Sequence, residues 1–139
     1  RLINNSSNTH ESPMPKEVIT LPGFPTIAPY SPAVKVGNTI YVSGTLAMDS
    51  EGKPIGSDIR TQTKAVLDAI QNLLQAAGAS LDDIAFCQIF LKDFADYPGM
   101  NEVYRTYFPG VLPARYVVRA DLVREAFLVE IAATAYLPS

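Results

Sequence analysis

Two short runs of β-branched and aromatic residues, Ala33-Val34-Lys35-Val36 and Thr39-Ile40-Tyr41-Val42-Ser43, stand on either side of Gly37-Asn38. This arrangement predicts a β-hairpin, because a two-residue Gly/Asn step tolerates the positive φ that tight hairpin turns demand. The period then changes. Ile59, Thr63, Val66, Leu67, Ile70, Leu73, Leu74 and Ala77 recur at steps of three and four, the mark of a helix with one apolar stripe. Ser57 is placed to cap its start and Gly78 to end it. Ile84 to Leu91 is apolar at almost every position, as in a strand covered on both faces, with Ile84, Phe86 and Phe90 on one side and Ala85, Cys87, Ile89 and Leu91 on the other. A second helix is expected from about Pro98, carrying Met100, Val103, Tyr104, Tyr107 and Phe108 on one side and stopped by Pro109-Gly110. Two strands, Arg115 to Ala120 and Leu128 to Tyr136, close the chain.

Strand, strand, helix, strand, helix, strand, strand is the order of an α+β two-layer sandwich, one mixed β-sheet with two helices on one face. Such a sheet leaves its other face bare. Soluble monomers seldom expose a large apolar surface, so a homo-oligomer is expected in which sheets pack against each other. The 139 residues suffice for one hydrophobic core. Residues 1–16 read as a polar leader or tag, with Met14-Pro15-Lys16 a natural start, and residues 17–139 as a single domain.

Charge and rare residues narrow the chemistry. A formal charge of -3 argues against a nucleic-acid partner, whose phosphates need Lys and Arg to neutralise them. No apolar stretch approaches the roughly 20 residues needed to cross a bilayer, so no membrane association is expected and the protein is placed in the cytoplasm. One cysteine, Cys87, and one histidine, His10, cannot form an internal disulfide or a His/Cys metal site, and no cofactor motif is present. Catalysis would have to run on carboxylate, arginine, hydroxyl and backbone groups.

Arg115, Val117 and Arg119 alternate onto one face of their strand, and Glu130 is an isolated acid in the run Leu128-Val129-Glu130-Ile131-Ala132-Ala133. Two readings stay open from pattern alone. Glu130 can form a cross-strand ion pair with Arg115 or Arg119 and do nothing chemical. Alternatively, an arginine fork grips a substrate carboxylate while the glutamate manages a water and its protons. Ser43-Gly44-Thr45 ends its strand with hydroxyls around a flexible glycine and could present them to a small ligand. Tyr30 and Asn101, judged singly, are packing or capping residues as readily as functional ones, and Cys87 reads as inert core.

Taken together, these pieces resemble the Rid (YjgF/RidA) family from about Val18 to Leu137. The resemblance rests on Ala28-Pro29-Tyr30-Ser31, Val36-Gly37-Asn38, Val42-Ser43-Gly44, Gln62-Thr63, Ala76-Ala77-Gly78 and Phe90-Leu91-Lys92-Asp93. It continues through Asn101-Glu102-Val103-Tyr104, Tyr107-Phe108-Pro109, Pro113-Ala114-Arg115 and Val129-Glu130-Ile131. It implies a chorismate-mutase-like sandwich assembled as a homotrimer with clefts between subunits, acting without metal or cofactor on small carboxylate substrates. Arg115 would take the carboxylate-binding position, Glu130 the position that steers water and shuttles a proton, and the Gly44 carbonyl would accept from substrate nitrogen. Tyr30 and Ser43 would line the same cleft, with Asn101 supporting it.

The implied activity is hydrolysis of reactive enamine or imine acids, such as 2- or 3-aminoacrylate, to keto or semialdehyde acids and ammonia. Val117 stands where the family's imine deaminases carry cysteine, Thr45 where many carry glutamine, and Arg119 where the residue is commonly not basic. Met14-Pro15-Lys16, Ser43 to Ala47 and Phe86 to Phe108 look closer to the branch acting on aminoacrylate in pyrimidine breakdown, and Arg119 could accommodate a second acidic group. The rival readings are a carboxylate-binding sensor or chaperone-like trimer without turnover, and the ribonuclease activity after which some relatives were named.

Overall fold

The computed structural model describes residues 14–138, so the expectations for residues 1–13, His10 among them, lie outside the described residues. Its strands are β1 (Glu17–Ile19), β2 (Ala33–Val36), β3 (Thr39–Thr45), β4 (Ile84–Leu91), β5 (Ala114–Arg119) and β6 (Val129–Tyr136). The helices are α1 (Ile59–Ala76) and α2 (Tyr97–Tyr107). All six strands form one sheet in the order β1-β2-β3-β6-β4-β5. Only β4 and β5 run parallel, joined by a crossover through α2, so the sheet is mixed as expected.

Local chemistry accounts for most boundaries. At the hairpin turn only Gly37 has positive φ, +58°, which is the pattern of a type II′ turn and leaves Asn38 unstrained. Helix α1 is capped not by Ser57 but by Asp58, whose carboxylate accepts from the Thr61 amide at 3.0 Å. It ends as foreseen at Gly78, where Gly78 N–H donates to Gln75 and Ala79 N–H donates to Leu74, satisfying the carbonyls of the last turn. Strand β1 was not foreseen, since three residues are too few to show a period.

Val66, Leu67, Ile70, Leu73 and Leu74 of α1 are fully buried against Ile40, Ile89, Ile131 and Ala135 of the sheet. Burying each such side chain contributes about 1.5–3 kcal/mol. In β4 a register shift between Ile84 and Phe86 sends Ile84 into the core with Cys87, Ile89 and Leu91, rather than to the side shared by Phe86 and Phe90. Both helices lie on this face. On the other, Tyr41, Tyr116, Val118 and Tyr136 remain exposed, with Tyr116 edge-on to Phe86 and Phe90. No helix among the described residues is long and apolar enough to cross a membrane.

Candidate active site

Arg115 lies on the helix-covered side of the sheet, in register with Cys87 on β4, and α2 crosses above it. Tyr97, Met100, Asn101 and Tyr104 all reach its guanidinium from that helix. Nη2 donates to Asn101 Oδ1 at 2.7 Å and to the Tyr97 hydroxyl at 3.3 Å, while Nη1 meets only the Met100 sulfur at 4.0 Å. The group also stacks over the rings of Tyr104 at 4.8 Å and Tyr97 at 5.9 Å. Rings and amide hold the fork in place and leave its Nη1 edge without a strong acceptor. Beneath it, burial pushes up both the Cys87 thiol and the Tyr104 phenol, which lie beside each other.

Arg115 is half-buried between two hollows. One, of about 410 Å³, is lined by Phe94, Tyr97, Tyr116 and Val117 with Arg115 itself. The other, of about 280 Å³, lies toward Asn101, Tyr104 and the Leu112-Pro113 turn. Arg119 is exposed, lines neither, and sits four residues on, about 13 Å along the strand.

Glu130 is elsewhere. It pairs with Phe90 on β4, and Phe90 pairs with Val118 on β5, so Glu130 shares the uncovered face and Arg115 the opposite one. Strand β4 also stands between β5 and β6. The cross-strand ion pair with Arg115 or Arg119 therefore does not form: the arginines and Glu130 point to opposite faces, and β5 and β6, though consecutive in the chain, are not neighbours in the sheet. Glu130 has no hydrogen-bond or ion-pair partner among the described residues, and burial raises its carboxyl above the usual range.

What Glu130 faces is Gly44. The register of β3 on β6 shifts between Val42 and Thr45, bulging Ser43-Gly44 outward. A Cβ at Gly44 would fall 3.0 Å from Glu130 Cδ and 3.2 Å from each carboxylate oxygen, so only glycine leaves the carboxylate its place. The Ser43 hydroxyl donates to the Ser31 carbonyl at 2.6 Å, tying the bulge to the segment carrying Tyr30, and the Thr45 hydroxyl donates back to the Ser43 carbonyl at 2.8 Å. Tyr30, Ser43, Gly44 and Thr45 together line a hollow of about 200 Å³ closed by Phe24 and Met48.

The candidate residues thus fall into two groups within one chain: Arg115, Asn101 and Val117 around one end of β5, and Tyr30, Ser43, Gly44, Thr45 and Glu130 around the end of β3. Two supporting residues were given no role from the sequence, although Gln62 stands among the landmarks of the resemblance. Tyr97 stands four residues before Asn101, on the same side of α2. Gln62 is fully buried; its Nε2 donates to the carbonyls of Gly56 at 3.2 Å and Ala126 at 2.8 Å, and its Oε1 accepts from the Leu128 amide at 2.8 Å. It anchors the chain two residues before Glu130, and the detectable signal was a polar residue inside the apolar stripe of α1.

Comparison with known proteins agrees with this architecture. The family model described as Endoribonuclease L-PSP matches residues 22–137, and the chain belongs to that family, also called YjgF/Rid. Within it, the chain is 47% identical over 126 residues to a protein of Acinetobacter baylyi named 3-aminoacrylate deaminase RutC, covering 89% of this chain and all of the relative. Among solved structures, the Rid-family protein YyfA from Yersinia pestis superposes with a TM-score of 0.83 at 32% identity, over 88% of this chain and 100% of that one. E. coli TdcF with bound serine gives a TM-score of 0.82 at 27% identity, over 88% of this chain and 100% of TdcF.

Proposed function

We propose that the protein hydrolyses short enamine and imine acids, 3-aminoacrylate or 2-aminoacrylate among them, to the corresponding semialdehyde or keto acid and ammonia. The observation that carries this reading is the pairing of an arginine fork with a free edge and a partnerless, half-buried carboxylate pressed against a glycine backbone. Support also comes from the name of the Acinetobacter baylyi relative and from the serine bound to TdcF, an amino acid with the carboxylate and amine such a site must hold.

In one chain the two groups of residues lie on opposite faces of the sheet, too far apart for both to touch a three-carbon acid. A homotrimer closes the gap in this proposal: the bare apolar face packs against its neighbours, and Arg115 of one subunit meets Glu130 and Gly44 of the next. The Arg115 edge then holds the substrate carboxylate in a planar fork. Nitrogen lies at the Gly44 carbonyl, which accepts its N–H.

The enamine first tautomerises to the imine. Water adds across C=N, its oxygen bonding to carbon while Glu130 accepts one of its protons. Glu130 passes that proton to nitrogen, giving the neutral carbinolamine, then takes the hydroxyl proton and delivers it to nitrogen as the C–N bond breaks, so that ammonia leaves, a carbonyl remains and the carboxylate is regenerated. A carboxyl whose pKa is raised by burial suits both roles, since the gap to neutral pH narrows. Tyr30 and Thr45 shape the wall, Ser43 holds the bulge, and Val117 sits beside the carboxylate end. The test generates 2- or 3-aminoacrylate enzymatically and follows acid and ammonia release. Acceleration by wild type, lost in Arg115→Ala and Glu130→Gln, supports the proposal; release at the uncatalysed rate with wild type sinks it.

A further inference from the structure

The hollow of about 280 Å³ beside Arg115 contains a second arginine that the proposed reaction does not use. Arg105 stands in the last turn of α2. With Tyr97, Asn101 and Tyr104 it occupies positions i, i+4, i+7 and i+8, one stripe of the helix, and that stripe lines the hollow together with Arg115. No acidic side chain lines the space, and Arg105 forms no ion pair among the described residues. A cation in a final helical turn is favourable against the helix dipole, which accounts for the residue type. It does not account for two arginines lining one concavity in a chain whose formal charge is -3. Like charges facing one hollow repel unless an anion enters it. Asn101 adds to the pattern: its Oδ1 is taken by Arg115, so its amide N–H groups remain to donate.

We propose that this hollow is an anion subsite in which Arg105 and the Asn101 amide receive a second acidic group from a ligand whose first carboxylate lies on Arg115. The protein then prefers short dicarboxylic acids to monocarboxylic acids of equal length. This deepens the proposed function by naming its substrate class, and it moves the role considered for Arg119 to Arg105, the residue that shares a hollow with Arg115.

Calorimetric titration at matched ionic strength with succinate and with butyrate, both four-carbon acids, tests it without turnover. Wild type and Glu130→Gln are expected to bind succinate at least about tenfold more tightly than butyrate, the scale of one charge-assisted contact. Arg105→Gln, at an exposed position, should bind both acids alike with butyrate affinity unchanged, and Arg105→Lys should restore part of the preference. Equal binding of the two acids by wild type, or a preference surviving in Arg105→Gln, overturns the subsite. A protein that discriminates the two acids yet fails to release ammonia from aminoacrylate would sink the deaminase reading and leave the subsite standing.

Discussion

The two ends of the candidate site are built on opposite plans. Around Arg115 every neighbour restrains the charged group: Asn101 and Tyr97 accept from one nitrogen, and the Tyr104 and Tyr97 rings lie against it. Around Glu130 nothing restrains it, and a missing side chain at Gly44 makes its room. A guanidinium that must hold an anion in one orientation benefits from a cage, because side-chain entropy is lost before the ligand arrives. A carboxylate that must take a proton and return it is better left without a fixed partner, since a salt bridge would hold it ionised. The difference teaches that, on the proposed roles, binding and proton transfer would be separated in space and in the way each group is supported.

The strongest way to break this comparison is Arg115→Lys. A lysine keeps the charge and loses the planar fork, so kcat/KM for aminoacrylate hydrolysis is expected to fall at least about 100-fold, the scale of two charge-assisted hydrogen bonds. Activity near wild type would show that charge alone suffices and that the cage is incidental.

Gly44→Ala attacks the other end. Its Cβ pushes the Glu130 carboxylate aside by a few tenths of an ångström, and a fraction of the roughly 100-fold cost of a 1 Å misplacement is expected, so kcat should fall up to about 10-fold while KM moves less. An unchanged kcat would show that the room Gly44 leaves for the acid does not matter to the reaction.

The smallest effect concerns stability. Burial raises the Glu130 pKa in the folded chain above its unfolded value, so the ionised form costs folding free energy at neutral pH. That cost is present above the folded pKa and disappears as pH falls through it and below the unfolded value of about 4.5. Glu130→Gln is accordingly expected to raise the thermal midpoint at pH 7 and to leave it unchanged near pH 4, measured by circular dichroism. A midpoint lowered at pH 7 would mean that a cation held across the subunit seam outweighs the burial.

The fold was legible wherever a local pattern decided it. The hairpin at Gly37-Asn38, the α1 stripe and its Gly78 terminus depend on nearby residues alone, and each formed where the pattern put it. Errors arose where neighbours in space are not neighbours in sequence. Alternation correctly put Arg115, Val117 and Arg119 on one face of their strand, yet no local pattern reveals that β4 inserts between β5 and β6. That insertion, with the alternation of faces, is what separates Arg115 from Glu130. The bulge that delivers Gly44 to Glu130 was hidden for the same reason, being a property of β3 against β6. Ser57 against Asp58 was a one-residue miss between two good caps, settled by which side chain reaches the Thr61 amide.

The claim on which everything else depends is that substrate is held by one chain and protonated by another. Co-expressing Arg115→Ala and Glu130→Gln chains with distinct tags, and purifying assemblies that carry both, tests it directly. Each variant alone should be inactive, and trimers carrying both chains should recover about one third of wild-type activity, because in either mixed composition one of the three interfaces pairs an intact Arg115 with an intact Glu130 across it. Mixed assemblies that form and remain inactive would contradict the account.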